Sequence, residues 1–250
     1  MKIMVVGGGG REHAIIRCLK KNPAVDTIFA LPGNGGMEKD AVCTGIGATD
    51  LDAIVAFAKE NRIEYAVVAP DDPLVMGCVD RLNEIGIPCF GPKANAAIIE
   101  GSKAFSKDLM KKYNIPTAQY ETFSDIEAAL NYVNSAAAPM VVKADGLALG
   151  KGVIICQTRE EAVEAVTDMM AGGKFGKSGT TVVIEEFLEG PEVSVLAFTD
   201  GKCVFVVGRI IGDGTEFCRV DFSFFVKNAF VCANVNYFAD EAASFRIVAY

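Results

Sequence analysis

Across residues 1–91, short apolar runs alternate with stretches whose apolar positions recur at helical spacing. Residues 2–6, 25–30 and 64–69 are rich in aliphatic and β-branched side chains and are bounded by turn residues, which predicts strands. Between and after them, residues 11–21, 50–61 and 73–85 are predicted helices. In the second of these Leu51, Ile54, Val55 and Ala58 fall on one face, and the third opens on Pro73, a residue tolerated in a first helical turn. Strands alternating with helices predict a parallel sheet with right-handed crossovers. Ligands of such sheets lie beyond the carboxyl ends of the strands. Three loops occupy those ends: Gly7-Gly8-Gly9-Gly10-Arg11-Glu12-His13, Pro32-Gly33-Asn34-Gly35-Gly36 and Pro70-Asp71-Asp72-Pro73-Leu74.

Residues 92–122 read as a connector with helices at 94–99 and 102–113, the latter stopped by Asn114-Ile115-Pro116. A second unit begins near Gln119. Ser124-x-x-Glu127 and Thr158-x-x-Glu161 have the form of capping boxes, each opening an amphipathic helix; Ala162, Val163, Val166, Met169 and Met170 make the apolar face of the second. Predicted strands at 139–144, 152–156 and 181–187 complete an α+β unit. From Gly201 the character changes: eight of the sixteen phenylalanines lie beyond it and no proline does, with 220–227 readable as a strand. The expected division is 1–101, 102–200 and a tail at 201–250.

Composition narrows the partners. The 250 residues carry a formal net charge of −8, which argues against a nucleic-acid partner, because phosphate backbones call for clustered Lys and Arg. Anionic ligands must then be held by local devices. No run approaches the roughly 20 apolar residues of a membrane span, and residues 3–6 are too short for a secretory core. The eight cysteines show no CxxC and no metal-like spacing, so reduced thiols in a cytoplasm are expected.

The most informative stretch is Val141-Val142-Lys143-Ala144-Asp145-Gly146-Leu147-Ala148-Leu149-Gly150-Lys151-Gly152-Val153. An apolar strand delivers Lys143, and a glycine-rich loop with Lys151 follows. That pattern lays backbone N–H groups and ammonium charges over a polyphosphate. Lys143 between apolar neighbours needs a partner, since an unpaired buried ammonium is costly; a phosphate would supply one. Lys103 opens the helix after Glu100-Gly101-Ser102. Downstream, Ile184-Glu185-Glu186-Phe187-Leu188-Glu189-Gly190-Pro191-Glu192 runs from a strand into an acidic hinge that offers polar groups to a purine edge and a carboxylate to a ribose.

The glycine run does not complete a dinucleotide fingerprint. Its last small position holds Glu12 or His13, and the second strand ends Ala30-Leu31-Pro32 without an acidic residue. It still suits an anion at a helix N-terminus, alongside the alternative of a tight turn without ligand. Packing or capping is favoured over acid–base chemistry for His13, the single histidine. Asn34 and Asp71-Asp72 stand between ligand contacts and plain turn roles.

Taken together, Gly7–Ala14, Pro32–Gly36, Pro70–Asp80, Phe90–Lys107, Lys143–Gly152 and Val183–Ser194 resemble the phosphoribosylamine–glycine ligases, which are ATP-grasp enzymes, in order and spacing from Met1 to about Asp200. The resemblance implies an α/β fold: a Rossmann-like pre-ATP-grasp domain followed by an incomplete ATP-grasp domain with an α+β lid subdomain. It implies that ATP, with Mg²⁺ or Mn²⁺, phosphorylates the carboxylate of glycine, and that the amine of 5-phosphoribosylamine displaces phosphate. Carried over by motif, Lys103 and Lys143 are the catalytic lysines at the ATP phosphates. Gly146, Gly150, Lys151 and Gly152 belong to the loop above them. Glu185, Glu186, Phe187 and Leu188 meet adenine, and Glu192 meets the ribose. Gly9, Gly10, Arg11, Asn34, Asp71 and Pro73 hold phosphoribosylamine. The Glu and Asn that bind the metal in this family belong to a later half that residues 201–250 do not resemble, so no metal ligand is assigned. A truncated or frameshifted reading frame with little or no activity is the expectation, in a cytoplasmic monomer. Another ATP-grasp carboxylate–amine ligase, or a non-catalytic nucleotide- or sugar-phosphate-binding fragment, are the competing readings.

Overall fold

The computed structural model describes residues 1–147, 152–172, 176–190, 192–199, 204–211, 231–239 and 245–248. The chain divides into two compact units, one built mainly from Met1–Ala97 and the other mainly from Ile98–Phe198.

In the first unit the elements run β1 (Lys2–Gly7), α1 (Gly10–Leu19), β2 (Thr27–Pro32), β3 (Val42–Cys43), α2 (Leu51–Glu60), β4 (Tyr65–Val68), α3 (Asp71–Val75), α4 (Cys78–Glu84) and β5 (Cys89–Phe90), with α5 (Ala94–Gly101) crossing the break between units. The strands form one parallel sheet in the order β3-β2-β1-β4-β5. β1 and β4 are buried on both faces, which is why they read as continuous apolar runs rather than alternating ones. Their side chains divide between two cores: Met4, Val6, Ala66 and Val68 meet α2 and α4 residues such as Ile54 and Leu82, while Ile3, Val5 and Val67 meet Ile16 of α1. Strand order reverses between β1 and β4, so the loops after these strands flank the switch point where open sheets bind ligands.

One expectation is corrected here. The single helix at 73–85 is two helices: α3 starts at Asp71 behind Pro70, and Gly77, at φ +87°, breaks the chain before α4. The left-handed backbone that glycine permits turns the two pieces apart.

The second unit contains α6 (Lys103–Lys112), β6 (Tyr120–Phe123), α7 (Ile126–Ser135), β7 (Met140–Ala144), β8 (Val153–Cys156), α8 (Arg159–Met170) and β9 (Val182–Glu186). Its antiparallel sheet has the order β6-β9-β7-β8. α7 and α8 bury one face of that sheet, with Met140, Val142, Ala144, Val182 and Ile184 meeting Ala129, Val133, Ala162, Val166 and Met169. The Thr158 cap forms, Thr158 Oγ1 accepting from Glu161 N at 3.2 Å, but the reciprocal half of the box moves back one residue: Glu161 accepts from Gln157 N at 2.7 Å rather than from Thr158 N. The other box shifts by one residue. Asp125, not Ser124, caps α7, accepting from Ala128 N at 2.8 Å, while Ser124 Oγ lies 3.0 Å from Thr181 Oγ1.

A further sheet, in the order β11-β10-β12-β13, comprises β10 (Glu192–Thr199), β11 (Val204–Ile211), β12 (Val231–Ala239) and β13 (Phe245–Val248). The strand expected at 220–227 lies outside the described residues.

Candidate functional site

Strand periodicity explains how the second unit gathers charge. On β7 the even-numbered residues Met140, Val142 and Ala144 enter the core, so Lys143 faces the other side. On β9 Val182 and Ile184 enter the core, so Glu185 also faces the other side. Lys143 pairs in register with Val183, and Glu185 with Val141, which makes Lys143 and Glu185 diagonal neighbours. Lys103 and Lys107, four residues apart on α6, share one helix face and are buried.

These side chains converge. Lys107 Nζ lies 2.8 Å from Glu185 Oε2 and Lys143 Nζ lies 3.1 Å from Glu185 Oε1. Lys107 is 1% exposed, Lys143 2% and Glu185 3%. Glu185 Oε1 is in ion-pair range of Lys143 but accepts no hydrogen bond. Lys107 Nζ also donates to Thr117 Oγ1 at 2.9 Å and to Ala118 O at 3.4 Å. Burial pushes the Lys103 and Lys107 ammoniums below the ordinary lysine range, opposed by Asp145 for the former and Glu185 for the latter. Among the described residues, the buried charged side chains of this cluster are Lys103, Lys107, Lys143 and Glu185, with the half-buried carboxylates Asp145 and Glu186 acting on the α6 lysines.

A second carboxylate ties α6 to β7. Asp145, at the end of β7, accepts from Ser102 Oγ at 3.1 Å and from Ala104 N at 3.0 Å, and Ser102 Oγ in turn accepts from Phe105 N at 3.0 Å. Lys103 Nζ donates to Gly146 O at 2.9 Å. The N-terminus of α6 and the root of the glycine loop thus hold each other, and the Lys103 ammonium spans the joint. Gly146, at φ +99°, has no room for a Cβ, which would lie 2.8 Å from Ser178 Oγ. Gly152 closes the described side of the loop, its carbonyl accepting from Ala144 N at 2.8 Å. Gly150 and Lys151 lie outside the described residues.

The hinge residues separate. Glu185 is consumed by the lysines. Glu186 bridges β9 to the start of β6: its carboxylate accepts from Gln119 N at 3.1 Å, and its own N–H donates to Gln119 O at 2.9 Å. Phe187 and Leu188 follow, half-buried, and Glu192 opens β10.

Three loops of the first unit meet one another. Gly33 N donates to Gly7 O at 3.3 Å, and Asn34 Nδ2 donates to Gly8 O at 2.7 Å while its Oδ1 accepts from Gly36 N at 2.7 Å. A Cβ on Gly7, whose φ is +126°, would lie 2.6 Å from Glu12 and 2.9 Å from Pro70. Asn34 therefore acts first as a strut between loops. Gly9, Gly10 and Arg11 stay exposed at the opening of α1, whose N-cap Gly9 donates to buried Glu12 Oε2 at 2.7 Å. Asp71 is half-buried and Pro73 buried in α3. His13 Nε2 lies 3.1 Å from Asp40 Oδ2, and Lys20 Nζ donates to Asp40 Oδ1 at 2.9 Å, which holds the Asp40 carboxyl below its usual range.

Sequence patterning did not single out Lys107, Ser102 or Asp145. Lys107 has the look of a solvated helix lysine, and only the facing of Glu185 on β9 marks it. Among the described residues no three His, Cys, Asp or Glu side chains gather as a metal site, and no helix is long and apolar enough to cross a membrane.

Comparison with known proteins gives a consistent picture. Residues 1–100 match the phosphoribosylglycinamide synthetase N domain, and residues 101–210 match the phosphoribosylglycinamide synthetase ATP-grasp (A) domain. Phosphoribosylamine–glycine ligase of Vibrio cholerae is 50% identical over 206 residues, covering 82% of this chain and 48% of that protein. The Streptococcus pyogenes protein of the same name is 50% identical over 208 residues, covering 83% and 49%. The chain thus spans about half the length of the curated relatives it matches. Among solved structures, phosphoribosylamine–glycine ligase from Thermotoga maritima superposes with a TM-score of 0.70 at 31% identity, over 84% of this chain and 49% of that one. The biotin carboxylase domain of Hydrogenobacter thermophilus 2-oxoglutarate carboxylase, solved with MgADP and bicarbonate, shares the fold at TM-score 0.75 and 19% identity, over 99% of this chain and 62% of that one.

Proposed function

The chain belongs to the phosphoribosylglycinamide synthetase family, and from that premise we propose that its second unit binds the phosphate tail of ATP through Lys103 and Lys143. One observation carries this reading: three lysines from α6 and β7 are buried in the region of one buried carboxylate, Glu185. Ammonium groups gathered at depth favour anionic groups beside them, and a polyphosphate near Gly146 is an anion that suits them. In this reading Gly146, Gly150, Lys151 and Gly152 supply backbone N–H groups and a further ammonium to the phosphates. The β9 hinge, with Glu186, Phe187 and Leu188, meets adenine, and Glu192 meets the ribose. Glu185 serves this region from within, as counterion to the lysines.

The reaction is the one the relatives are named for. The γ-phosphoryl group passes to the carboxylate of glycine, and the amine of 5-phosphoribosylamine attacks the glycyl phosphate, releasing phosphate and leaving an amide. Phosphoryl transfer needs alignment and charge neutralisation more than covalent help. Lys103 and Lys143 neutralise charge that grows on the transferring and bridging oxygens. The first unit binds the sugar phosphate: Gly9, Gly10 and Arg11 offer N–H groups and a guanidinium at the opening of α1, and Asn34, Asp71 and Pro73 shape the converging loops.

Mg²⁺, which accompanies ADP in the Hydrogenobacter structure, is not accommodated by the described carboxylates of this cluster. Glu185 is taken by two ammoniums, and Asp145 by Ser102 and Ala104 N. The contributions derived for this chain are those of its lysines and loops.

Thermal unfolding with a non-hydrolysable ATP analogue, and separately with ribose 5-phosphate, tests the reading. Each ligand should raise Tm in proportion to the logarithm of its concentration above Kd, and Lys143→Met should abolish the nucleotide response alone. A nucleotide response that survives in Lys143→Met rejects the assignment. ADP release that depends on both glycine and phosphoribosylamine would establish the full reaction in this chain.

A further inference from the structure

Lys107 is the least exposed charged residue described, and the proposed chemistry leaves it without a task. Its ammonium has three N–H donors, and three acceptors surround it: Glu185 Oε2 at 2.8 Å, Thr117 Oγ1 at 2.9 Å and Ala118 O at 3.4 Å. A cation so fully engaged is a poor phosphate ligand. Its partner differs: Glu185 directs Oε2 to Lys107 and presents Oε1 to Lys143 at 3.1 Å without a hydrogen bond. One carboxylate therefore divides its charge between an anchored lysine and the lysine proposed to meet phosphate.

We propose that Lys107 is a positioning residue for nucleotide binding: it touches no ligand, but holds one carboxylate oxygen of Glu185, so that the other is left to orient Lys143. Without Lys107, the buried carboxylate has one ammonium left. It turns both oxygens on Lys143 and draws that charge away from the phosphates. The anchor for this arrangement is Thr117, on the segment between α6 and β6, whose hydroxyl accepts from the Lys107 ammonium at 2.9 Å. This inference rests on the ATP reading of the same site.

Calorimetric titration of the full chain with a non-hydrolysable ATP analogue and with AMP tests it. The two ligands share adenosine and the α-phosphate and differ in the outer phosphates. A merely structural lysine would change the folded fraction and weaken both ligands alike. A positioning lysine changes their ratio. In Lys107→Met the preference for triphosphate over monophosphate should fall about tenfold or more, as befits the loss of one partner of a buried charge pair. Lys107→Arg should keep the preference to within about threefold, since it retains the charge and can still meet Glu185. Should Lys107→Met fail to fold, Thr117→Val, which removes the hydroxyl that accepts from Lys107 at nearly constant volume, should lower the preference by about threefold. An unchanged ratio in whichever of Lys107→Met and Thr117→Val folds overturns the positioning role. A wild-type chain that binds the analogue no better than AMP overturns the ATP reading itself, and the inference with it.

Discussion

At the residue scale, carboxylates decide what the lysines can do. Asp145 caps the N-terminus of α6 through Ala104 N and restrains Ser102. Asp145→Ala removes both bonds and the charge that most opposes the effect of burial on Lys103; it should cost about 1–2 kcal/mol in chemical denaturation and weaken ATP-analogue binding by more than that loss of folded protein explains. Equal binding per folded molecule would refute a role in placing Lys103. The alkaline limb of binding supplies a second test. Because burial lowers the pKa of Lys103, its proton leaves at a pH below that of an ordinary lysine. Analogue affinity should therefore fall as pH rises through that lowered value, before exposed lysines titrate, and Lys103→Arg should flatten the fall because guanidinium keeps its proton. For stability the sign is opposite. The unfolded lysine binds the proton more tightly, so the cost of burying charged Lys103 is full below its folded pKa and is relieved as pH climbs toward the unfolded value. Lys143 was legible because apolar neighbours on a strand isolate it. Lys107 was not, since lysines at helical spacing ordinarily mean a solvated face, and the carboxylate that buries it is 78 positions further along.

At the element scale, local signals were strong where one chemical choice dominated. The parallel sheet followed from the apolar runs of β1, β2 and β4, which in β1 and β4 reflect burial on both faces. β3 and β5 escaped because two residues carry no period. The break between α3 and α4 escaped because a glycine inside an apolar helical pattern is a weak signal until its φ is known. At Gly77 an added Cβ would find only ordinary contacts, at 3.7 Å from Asp80 and 3.8 Å from Ala94, so the expense of Gly77→Ala is backbone strain alone. About 1 kcal/mol of destabilisation is expected, and an unchanged Tm would show that the turn relaxes freely. Two capping candidates stood side by side before α7, and spacing favoured Ser124 through Glu127. The helix instead uses Asp125, whose carboxylate reaches Ala128 N. Asp125→Ala should cost about 1 kcal/mol and Ser124→Ala a few tenths in urea denaturation; the reverse order would return the cap to Ser124.

At the scale of the whole molecule, the two proposed ligands belong to different cores. The sugar-phosphate loops hang on β1, β2 and β4, whose side chains pack with α1, α2 and α4. The lysine cluster hangs on β7, β9 and α6, and the sheet under it is closed by α7 and α8. A ligand that binds only the native form of a cooperative unit slows opening of that unit by the free energy of binding, and reaches elsewhere only as far as opening is shared. Hydrogen exchange should therefore be slowed by an ATP analogue at β7 and β9, and by ribose 5-phosphate at β1 and the first turn of α1. The amides to follow are interior ones, such as Val142 and Ile184 for the nucleotide and Val5 and Val67 for the sugar phosphate, because all four residues are buried and paired within their sheets. Slowing confined to one set with each ligand would assign the ligands to separate units. Nucleotide protection concentrated at Val5 and Val67, with Val142 and Ile184 unaffected, would move the polyphosphate to the glycine run of the first unit and leave the buried lysines as an internal ion cluster.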